Sequence, residues 1–221
     1  MDISLIRLTL QIALVATAIN LPVAIGLSWL IVKRRVRGSF LLDVLVSLPL
    51  ALPPVVSGYF LLLLLGREGP VGSLMRDLLG VDIVFTWVAA ALASAVVSFP
   101  LMARGVMTAM EGVDERLERS ARSLGAGPLR VALTITLPLA YRGIMAGVLL
   151  GFVRALSEFG ATIVVAGNIP GRTQTLPLAI FEKVQLGRDA DALRLVGVSI
   201  ALAVATILVH NLLLSRSKTD E

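Results

Sequence analysis

The feature that most constrains the fold of this chain is a set of five long apolar runs. They lie at about 8–32, 40–65, 83–103, 138–158 and 193–214. A helix needs roughly 20 mostly apolar residues to cross a bilayer whose hydrocarbon core is about 30 Å thick. Of the 221 residues, 57% are hydrophobic, and the mean hydropathy is +0.90, which is too apolar for a soluble domain of this size. The runs therefore predict an all-α integral membrane protein with five transmembrane helices.

Basic residues between the runs orient the predicted helices. One cluster occupies 33–37, and a second basic region begins at Arg104. Lysine and arginine are enriched in cytoplasmic loops, so both regions are predicted inside, two spans apart, with the N-terminus outside and the C-terminus inside. The glycine-containing loop at 66–82 and the segment 160–191 then lie outside. The basic residues that give the net charge of +5 cluster in the gaps between the apolar runs. This distribution does not predict a nucleic-acid-binding stripe.

The most charged part of the chain is the loop at 110–137, between the third and fourth predicted spans. Asp114 is suited to cap a helix, while Gly125 and Pro128 are suited to end one. An apolar stripe at positions i, i+4 and i+7 is formed by Leu117, Ala121 and Leu124. The pattern predicts a short surface helix that is too short to span the membrane. It is either a helix that rests on the lipid surface or a docking element for a partner.

The spacing within this loop resembles the cytoplasmic EAA loop of ABC importer permeases. That pattern is Glu-Ala-Ala, three residues, Gly, nine residues and Ile-x-Leu-Pro, and Gly125, Ile135 and 137–138 occupy the matching positions. Arg119 and Ser120 stand where the family has its glutamate and first alanine. The chain departs from the family pattern at these two positions.

The resemblance implies that this helix docks on a separate ATPase subunit and transmits its movement to the membrane helices. The acidic residue Glu118 lies one position before the family's glutamate. The residues that the resemblance assigns to coupling are Leu117, Glu118, Arg119, Ser120, Ala121, Leu124, Gly125 and Ala126.

Prolines interrupt the second predicted span, at Pro49, Pro53 and Pro54. Proline has no backbone N–H and breaks a helix. Broken backbone at membrane depth is tolerated where protein or a water-filled cavity surrounds it. The prolines therefore either border a translocation path or produce a simple kink that fits neighbouring helices.

Two opposite charges lie near the end of the fourth predicted span, at Arg154 and Glu158. Residues four apart share a helix face and can pair. Charges at membrane depth usually mark a pathway or a partner, and the alternative here is a local salt bridge that holds the end of the helix. Together with Phe159 and Gly160 they are candidate pathway residues. The following segment, 160–191, predicts a re-entrant or gate segment with an outer loop.

No catalytic, metal or nucleotide site is indicated by the sequence. It has no cysteine and one histidine, His210, and it has no GxxxxGK[ST] phosphate-binding loop. The remaining classes are a channel, a gradient-driven carrier, a membrane scaffold, or the pore subunit of a larger machine. Gradient-driven carriers often hold acidic residues deep in their spans, and Glu158 is the one candidate. The charged loop favours the pore subunit, because it gives a partner something to move.

Over its whole length the chain resembles the permease subunits of molybdate and tungstate ABC importers. The similar segments are LPLALPPVVSGY at 48–59, LGREG at 65–69, SEFGAT at 157–162 and NIPGRT at 168–173. Sulfate permeases share the Glu-Phe-Gly segment, so sulfate or thiosulfate, as well as tungstate, are the alternatives to molybdate.

The resemblance implies a non-catalytic translocation subunit in the cytoplasmic (inner) membrane, where it contacts lipid. Its implied partners are a second copy of itself, two ABC ATPase subunits inside and a molybdate-binding protein outside. The ATPase subunits would bind ATP and magnesium, and this chain is expected to hold no cofactor or metal. ATP binding would bring the ATPases together, spread the two charged helices and open the path outward.

Overall fold

A computed structural model describes residues 3–34 and 38–215, with side chains as far as Leu208. Within these residues the chain forms helices and no strand. The helices are α1 (Ile3–Ser28), α2 (Ser39–Ala51), α3 (Pro54–Leu65), α4 (Pro70–Leu79), α5 (Trp87–Glu111), α6 (Glu115–Ser123), α7 (Pro128–Val131), α8 (Leu137–Leu156), α9 (Gly160–Val165), α10 (Leu176–Gln185) and α11 (Asp189–Ser215). Arg35 and Arg37 of the basic cluster lie outside the described residues, as does the side chain of His210.

Four helices in the described part of the chain are long and apolar enough to cross a membrane. They are Ile3–Lys33, Trp87–Glu111, Pro128–Leu156 and Asp189–Leu208. They correspond to the first, third, fourth and fifth apolar runs. The bent pair α2–α3 makes a fifth crossing if the two helices act as one span.

The second apolar run is not one continuous helix. Helices α2 and α3 meet at an angle of 109°, where Pro53 is extended and Pro54 begins α3. With 13 and 12 residues, each helix is only about 20 Å long, shorter than a hydrocarbon core of about 30 Å. The break is therefore far sharper than a kink, and the pair is either a broken span or a re-entrant hairpin.

Two π-helical turns extend α1 and α8 at the same end of the molecule. One is Trp29–Lys33, which continues α1, and the other is Ala132–Thr136, which joins α7 to α8. The helix of the fourth run thus begins at Pro128 rather than at Pro138. Pro138 cannot donate to the preceding turn, and the wider π turn directly before it accommodates that loss.

The outer loop predicted at 66–82 contains a helix, α4. Pro70 occupies its first turn, and Gly80 follows its end with φ +68°. Proline at the start and glycine just past the end are the usual boundaries of a helix. The loop is therefore partly helical, and Arg67 closes it by donating to Asp82 Oδ2 at 2.8 Å.

Helix α5 lies at the centre and packs on α1 and α8 through small side chains. A Cβ atom on Gly105 of α5 would lie 2.6 Å from Gly147 Cα of α8, so the two backbones are in direct contact. Asn20 of α1 is buried and donates to Ala95 O at 2.9 Å and Ser98 Oγ at 3.1 Å. Small residues and buried polar side chains are the usual means of holding helices together in lipid.

The contacts define two ends of the helical bundle. At one end Leu176 N donates to Thr9 Oγ1 at 3.0 Å, which places α10 beside the start of α1. At the other end the Lys33 side chain contacts α6. The charged helix and the segment 160–191 therefore lie at opposite ends of α1.

Candidate functional site

Helix α6 begins at a side-chain cap. The Asp114 Oδ1 atom accepts a hydrogen bond from Arg116 N at 2.8 Å, which satisfies one of the free N–H groups at the start of a helix. Glu115 and Glu118 lie in its first turn, where negative charge is favourable beside the positive end of the helix dipole. The local sequence is therefore sufficient to start the helix at this point.

Helix α6 ends in a glycine-dependent turn. Ala126 N donates to Ala121 O at 3.1 Å, and Gly125 N donates to Arg122 O at 3.0 Å. This pair of bonds is the Schellman arrangement, which requires a left-handed residue at the position of Gly125. Gly125 has φ +86°, and it thus sets the direction in which the chain leaves α6.

The predicted apolar stripe of α6 faces away from the rest of the chain. Leu117 is 49% exposed and Leu124 is 89% exposed. Arg119 and Ser120 are also exposed, while Ala121 is half-buried. Two exposed leucines flanked by cationic and polar side chains form a small surface suited to a partner. We call Leu117, Arg119, Ser120 and Leu124 the docking face.

Glu118, in contrast, points into the molecule. Its side chain is 5% exposed, and its Oε1 atom lies 3.1 Å from Lys33 Nζ. Thr136 Oγ1 donates to the same oxygen at 2.7 Å, and Arg122 lies 3.7 Å from Oε2. We call Lys33, Glu118 and Thr136 the Glu118 junction. The one carboxylate among the coupling candidates is therefore an internal contact.

The sequence carried little signal for this junction. Lys33 belongs to a cluster interpreted as a topology signal, and Thr136 belongs to a segment predicted as loop. Their convergence depends on the two π-helical turns, which have no recognisable sequence pattern. A lysine at the end of one span and an acid in the next charged loop are compatible with such a pair, but they do not specify it.

The predicted pathway residues fall into two groups: one lies at the contact of α3 with α9, and the other is the Arg154–Glu158 pair with Phe159. Pro54 and Gly160 meet, since a Cβ atom on Gly160 would lie 3.0 Å from Pro54 Cβ. Beside them, a Cβ atom on Gly58 would lie 2.7 Å from Ala161 Cα, so α3 and α9 are in backbone contact. Pro53 lies at the bend itself, whereas Pro49 lies within α2, on the other side of the bend.

Arg154 and Glu158 form an ion pair in the structure. Arg154 Nη1 lies 2.8 Å from Glu158 Oε2, and the Glu158 side chain is 1% exposed. Glu158 Oε1 accepts from Ala161 N at 2.8 Å, so the same carboxylate also caps α9. Phe159 follows Glu158 in the chain, and its ring centroid lies 5.0 Å from that of Phe181. These contacts favour an anchoring role for the pair.

The turn after α9 is held to α10 by Glu182. Asn168 Nδ2 donates to Glu182 Oε2 at 3.1 Å, and Gln174 Nε2 donates to the same atom. Burial alone would raise the pKa of Glu182, but hydrogen bonds from Lys183, Asn168 and Gln174 and the charge of Lys183 hold that pKa below its ordinary value. The carboxylate is therefore ionised and fixes this turn at neutral pH.

No cluster of three or more histidine, cysteine, aspartate or glutamate side chains suited to a metal ion occurs among the residues the structure describes. What the described residues offer is a docking face at one end, a buried junction beneath it, and a bent helix pair packed on a capped short helix. Such an arrangement can receive force and change the packing of membrane helices.

Comparison with known proteins identifies a family and a fold. Residues 9–217 match the family described as binding-protein-dependent transport system inner membrane component. The chain is 47% identical over 205 residues to the molybdenum transport system permease protein ModB of Escherichia coli (strain K12), covering 92% of this chain and 90% of that protein. It is 42% identical to ModB of Haemophilus influenzae, covering 98% and 95%.

A solved structure shows the same fold at much lower identity. It belongs to a bacterial ABC transporter involved in the import of the acidic polysaccharide alginate, and the TM-score is 0.71 at 17% identity. The alignment covers 98% of this chain and 78% of that chain. The helical fold described above is thus shared with a chain of that transporter.

Proposed function

Since the chain belongs to the family of binding-protein-dependent transport system inner membrane components, we propose that it is the permease subunit of an ATP-driven importer that carries molybdate across the cytoplasmic membrane. It is a multi-pass inner-membrane protein, as its relatives and its apolar helices indicate. Its own role is translocation, and a separate ATPase subunit hydrolyses ATP.

The observation that carries this proposal is the docking face of α6. Leu117 in the first turn of α6 and Leu124 just past its last turn are both exposed, although apolar side chains at a polar end of a membrane protein favour burial. A cleft on an ATPase subunit supplies that burial. In this assignment Leu117, Arg119, Ser120 and Leu124 contact the ATPase, while Ala121, Gly125 and Ala126 fix the shape of the helix end.

The topology we propose places the docking face in the cytoplasm. Lys33 and Arg34 begin the basic cluster, and Lys33 contacts α6 directly. Lys33, Arg34 and the charged helix therefore lie at one end of the bundle, and the positive-inside rule assigns that end to the cytoplasm. The N-terminus and the segment 160–191 then face outward, where a molybdate-binding protein docks.

The subunit acts as a symmetric pair in this proposal. Helix α11 leaves Ile200, Val204 and Ile207 about half exposed within one copy. Lipid covers part of such a surface, and a second copy related by two-fold symmetry covers another part. Two copies supply two docking faces for two ATPase subunits, which bind the ATP and magnesium. The bent α2–α3 pair and α9 lie on the proposed pathway, with Pro53, Pro54 and Gly160 at their contact.

Molybdate is the substrate proposed because the similar proteins named above are molybdenum permeases that match nearly the full length of the chain. Tungstate, sulfate and thiosulfate are the competing oxyanions. The Glu-Phe-Gly segment at 158–160, whose carboxylate is already paired, carries no feature that separates them.

The test is uptake by liposomes that contain the permease, its ATPase and its binding protein. We expect ATP-dependent accumulation of labelled molybdate that excess sulfate does not suppress. Uptake without ATP would favour a channel or a gradient-driven carrier, and suppression by sulfate would favour a sulfate permease. Absence of transport with all components present would leave a scaffold as the better account.

A further inference from the structure

The Glu118 junction joins three parts of the chain beneath the docking face. Glu118 Oε1 lies 3.1 Å from Lys33 Nζ and 2.7 Å from Thr136 Oγ1. Lys33 Nζ also donates to Val113 O at 3.3 Å, just before α6. Lys33 and Glu118 have side chains that are 9% and 5% exposed. The cluster is therefore internal and well connected.

The two partners of the Glu118 Oε1 atom are the last residues of π-helical turns. Lys33 ends the turn Trp29–Lys33, and Thr136 ends the turn Ala132–Thr136. A π turn inserts an additional residue into a helix, rotates the side chains that follow, and is frequent at functional sites. The last side chains of these two turns thus meet at a single carboxylate.

The burial of Glu118 separates it from the docking face. Its Oε1 atom already accepts from two donors, and Arg122 occupies the side of Oε2. A partner that rests on Leu117 and Leu124 does not reach this carboxylate without breaking the junction. Glu118 can therefore transmit a displacement of α6 to its neighbours, but it does not contact the partner.

Among the described residues, the principal neighbours of α6 are α7 and the turn Ala132–Thr136. The ion pair from Lys33 connects α6 directly to the π-helical turn that continues α1. Thr136 supplies a second connection, which leads into α8.

We propose that Glu118 is a positioning residue for energy coupling: it ties the docking helix to α1 and α8, so that a displacement of α6 moves both membrane helices together. This inference rests on the proposed function, and it assigns a role to an acid that does not touch the ATPase. Loss of the junction would leave the ATPase bound but poorly connected to the pathway.

The experiment compares Glu118→Gln with the unaltered complex in liposomes that contain ATPase and binding protein. Glutamine keeps the acceptor for Thr136 but removes the charge that pairs with Lys33. We expect the ATPase to co-purify as before, while the ATP hydrolysed per molybdate imported rises about tenfold, a fold-change that corresponds to an interaction free energy within the range measured for residues in contact. The matched control is Glu111→Gln, the same change at an exposed carboxylate at the end of α5, which should keep the original ratio.

A double-variant cycle makes the test independent of α6 itself. Lys33 lies in the π-helical turn that continues α1, and Lys33→Met should also raise the ATP hydrolysed per molybdate imported. The double variant Lys33→Met/Glu118→Gln should be no worse than either single variant, because the interaction is already absent in each. Partial restoration of the ratio in Lys33→Glu/Glu118→Lys would further support a pairing role.

Two results would overturn the inference. One is release of the ATPase by Glu118→Gln, which would make Glu118 part of the docking contact or of the stability of α6. The other is an unchanged ratio in both single variants. Failure of the proposed function is distinguishable, since the unaltered complex would then show no ATP-dependent molybdate uptake at all.

Discussion

At the scale of single residues, Gly125 determines how α6 ends. Its φ of +86° lies in the left-handed region, and a Cβ atom there would meet nothing within 4 Å. Alanine at this position therefore costs only backbone strain, about 1–2 kcal/mol. We expect Gly125→Ala to reduce both co-purification of the ATPase and ATP-dependent uptake, while membrane insertion is retained.

The control for Gly125 lies two residues further along the chain. Gly127 has φ −69°, and a Cβ atom there also meets nothing within 4 Å. Gly127→Ala should therefore leave docking and uptake unchanged. Equal effects of the two substitutions would show that the left-handed turn is not what shapes the docking helix.

A second prediction at the residue scale concerns Arg154. Arg154→Ala removes the cation that pairs with the buried Glu158 carboxylate, whose other oxygen accepts from Ala161 N. Removing one partner of a buried pair is strongly destabilising, and because Arg154 is 27% exposed we expect about 2–3 kcal/mol, less than for a fully buried pair. The melting temperature of the purified subunit should fall, and uptake per folded complex should stay constant.

The double variant Arg154→Met/Glu158→Gln distinguishes the two interpretations of this pair. Since it removes both charges and keeps an acceptor for Ala161 N, it should recover much of the lost stability. Normal melting of Arg154→Ala with loss of uptake would instead place Arg154 on the anion pathway.

At the scale of helices, the contact of α5 with α8 depends on two glycines. A Cβ atom on Gly105 would lie 2.6 Å from Gly147 Cα, and backbone cannot move aside as a flexible side chain can. Gly105→Ala should therefore separate the helices and destabilise the protein by about 1–3 kcal/mol, measured by thermal unfolding in detergent.

The matched variant for this contact is Gly26→Ala in α1. Gly26 is exposed and helical, and a Cβ atom there meets nothing within 4 Å. Alanine favours a helix over glycine by about 0.5–1 kcal/mol, so Gly26→Ala should be neutral or slightly stabilising. A similar loss of stability in both variants would argue against the close approach as the cause.

The helices also show where sequence reasoning succeeds and where it stops. The bounds of α6 follow from Asp114 and Gly125, because caps act through local backbone geometry. The sequence analysis predicts a loop where α4 lies, although Pro70 and Gly80 mark the two ends of this helix. The helix of the fourth run begins at Pro128, ten residues before the predicted start. The difference arises because proline is also favoured in the first turn of a helix, so that Pro138 predicts a start there.

The inward direction of the Glu118 side chain does not follow from the sequence, for a different reason. Its burial depends on Lys33 and Thr136, which are distant in sequence and are brought together by tertiary packing. Periodicity describes the face of a helix, but it does not say which face meets the rest of the protein. Periodicity therefore identifies the stripe of Leu117, Ala121 and Leu124, but it does not indicate that Glu118 beside it is buried.

At the scale of the whole molecule, the account requires that the docking face lie in the cytoplasm, where an ATPase can reach it. The chain contains no cysteine, so one introduced thiol reports on one position. Ser120 is exposed on the docking face, and its hydroxyl donates within its own helix to Arg116 O at 2.9 Å. Ser120→Cys is therefore a mild change at the position that matters.

The most direct measurement is modification of Ser120→Cys by a membrane-impermeant thiol reagent in vesicles of each orientation. We predict rapid modification in inverted vesicles, protection when the ATPase subunits are bound, and little modification in right-side-out vesicles. Rapid modification in right-side-out vesicles would place α6 on the outer face and contradict the proposed mechanism.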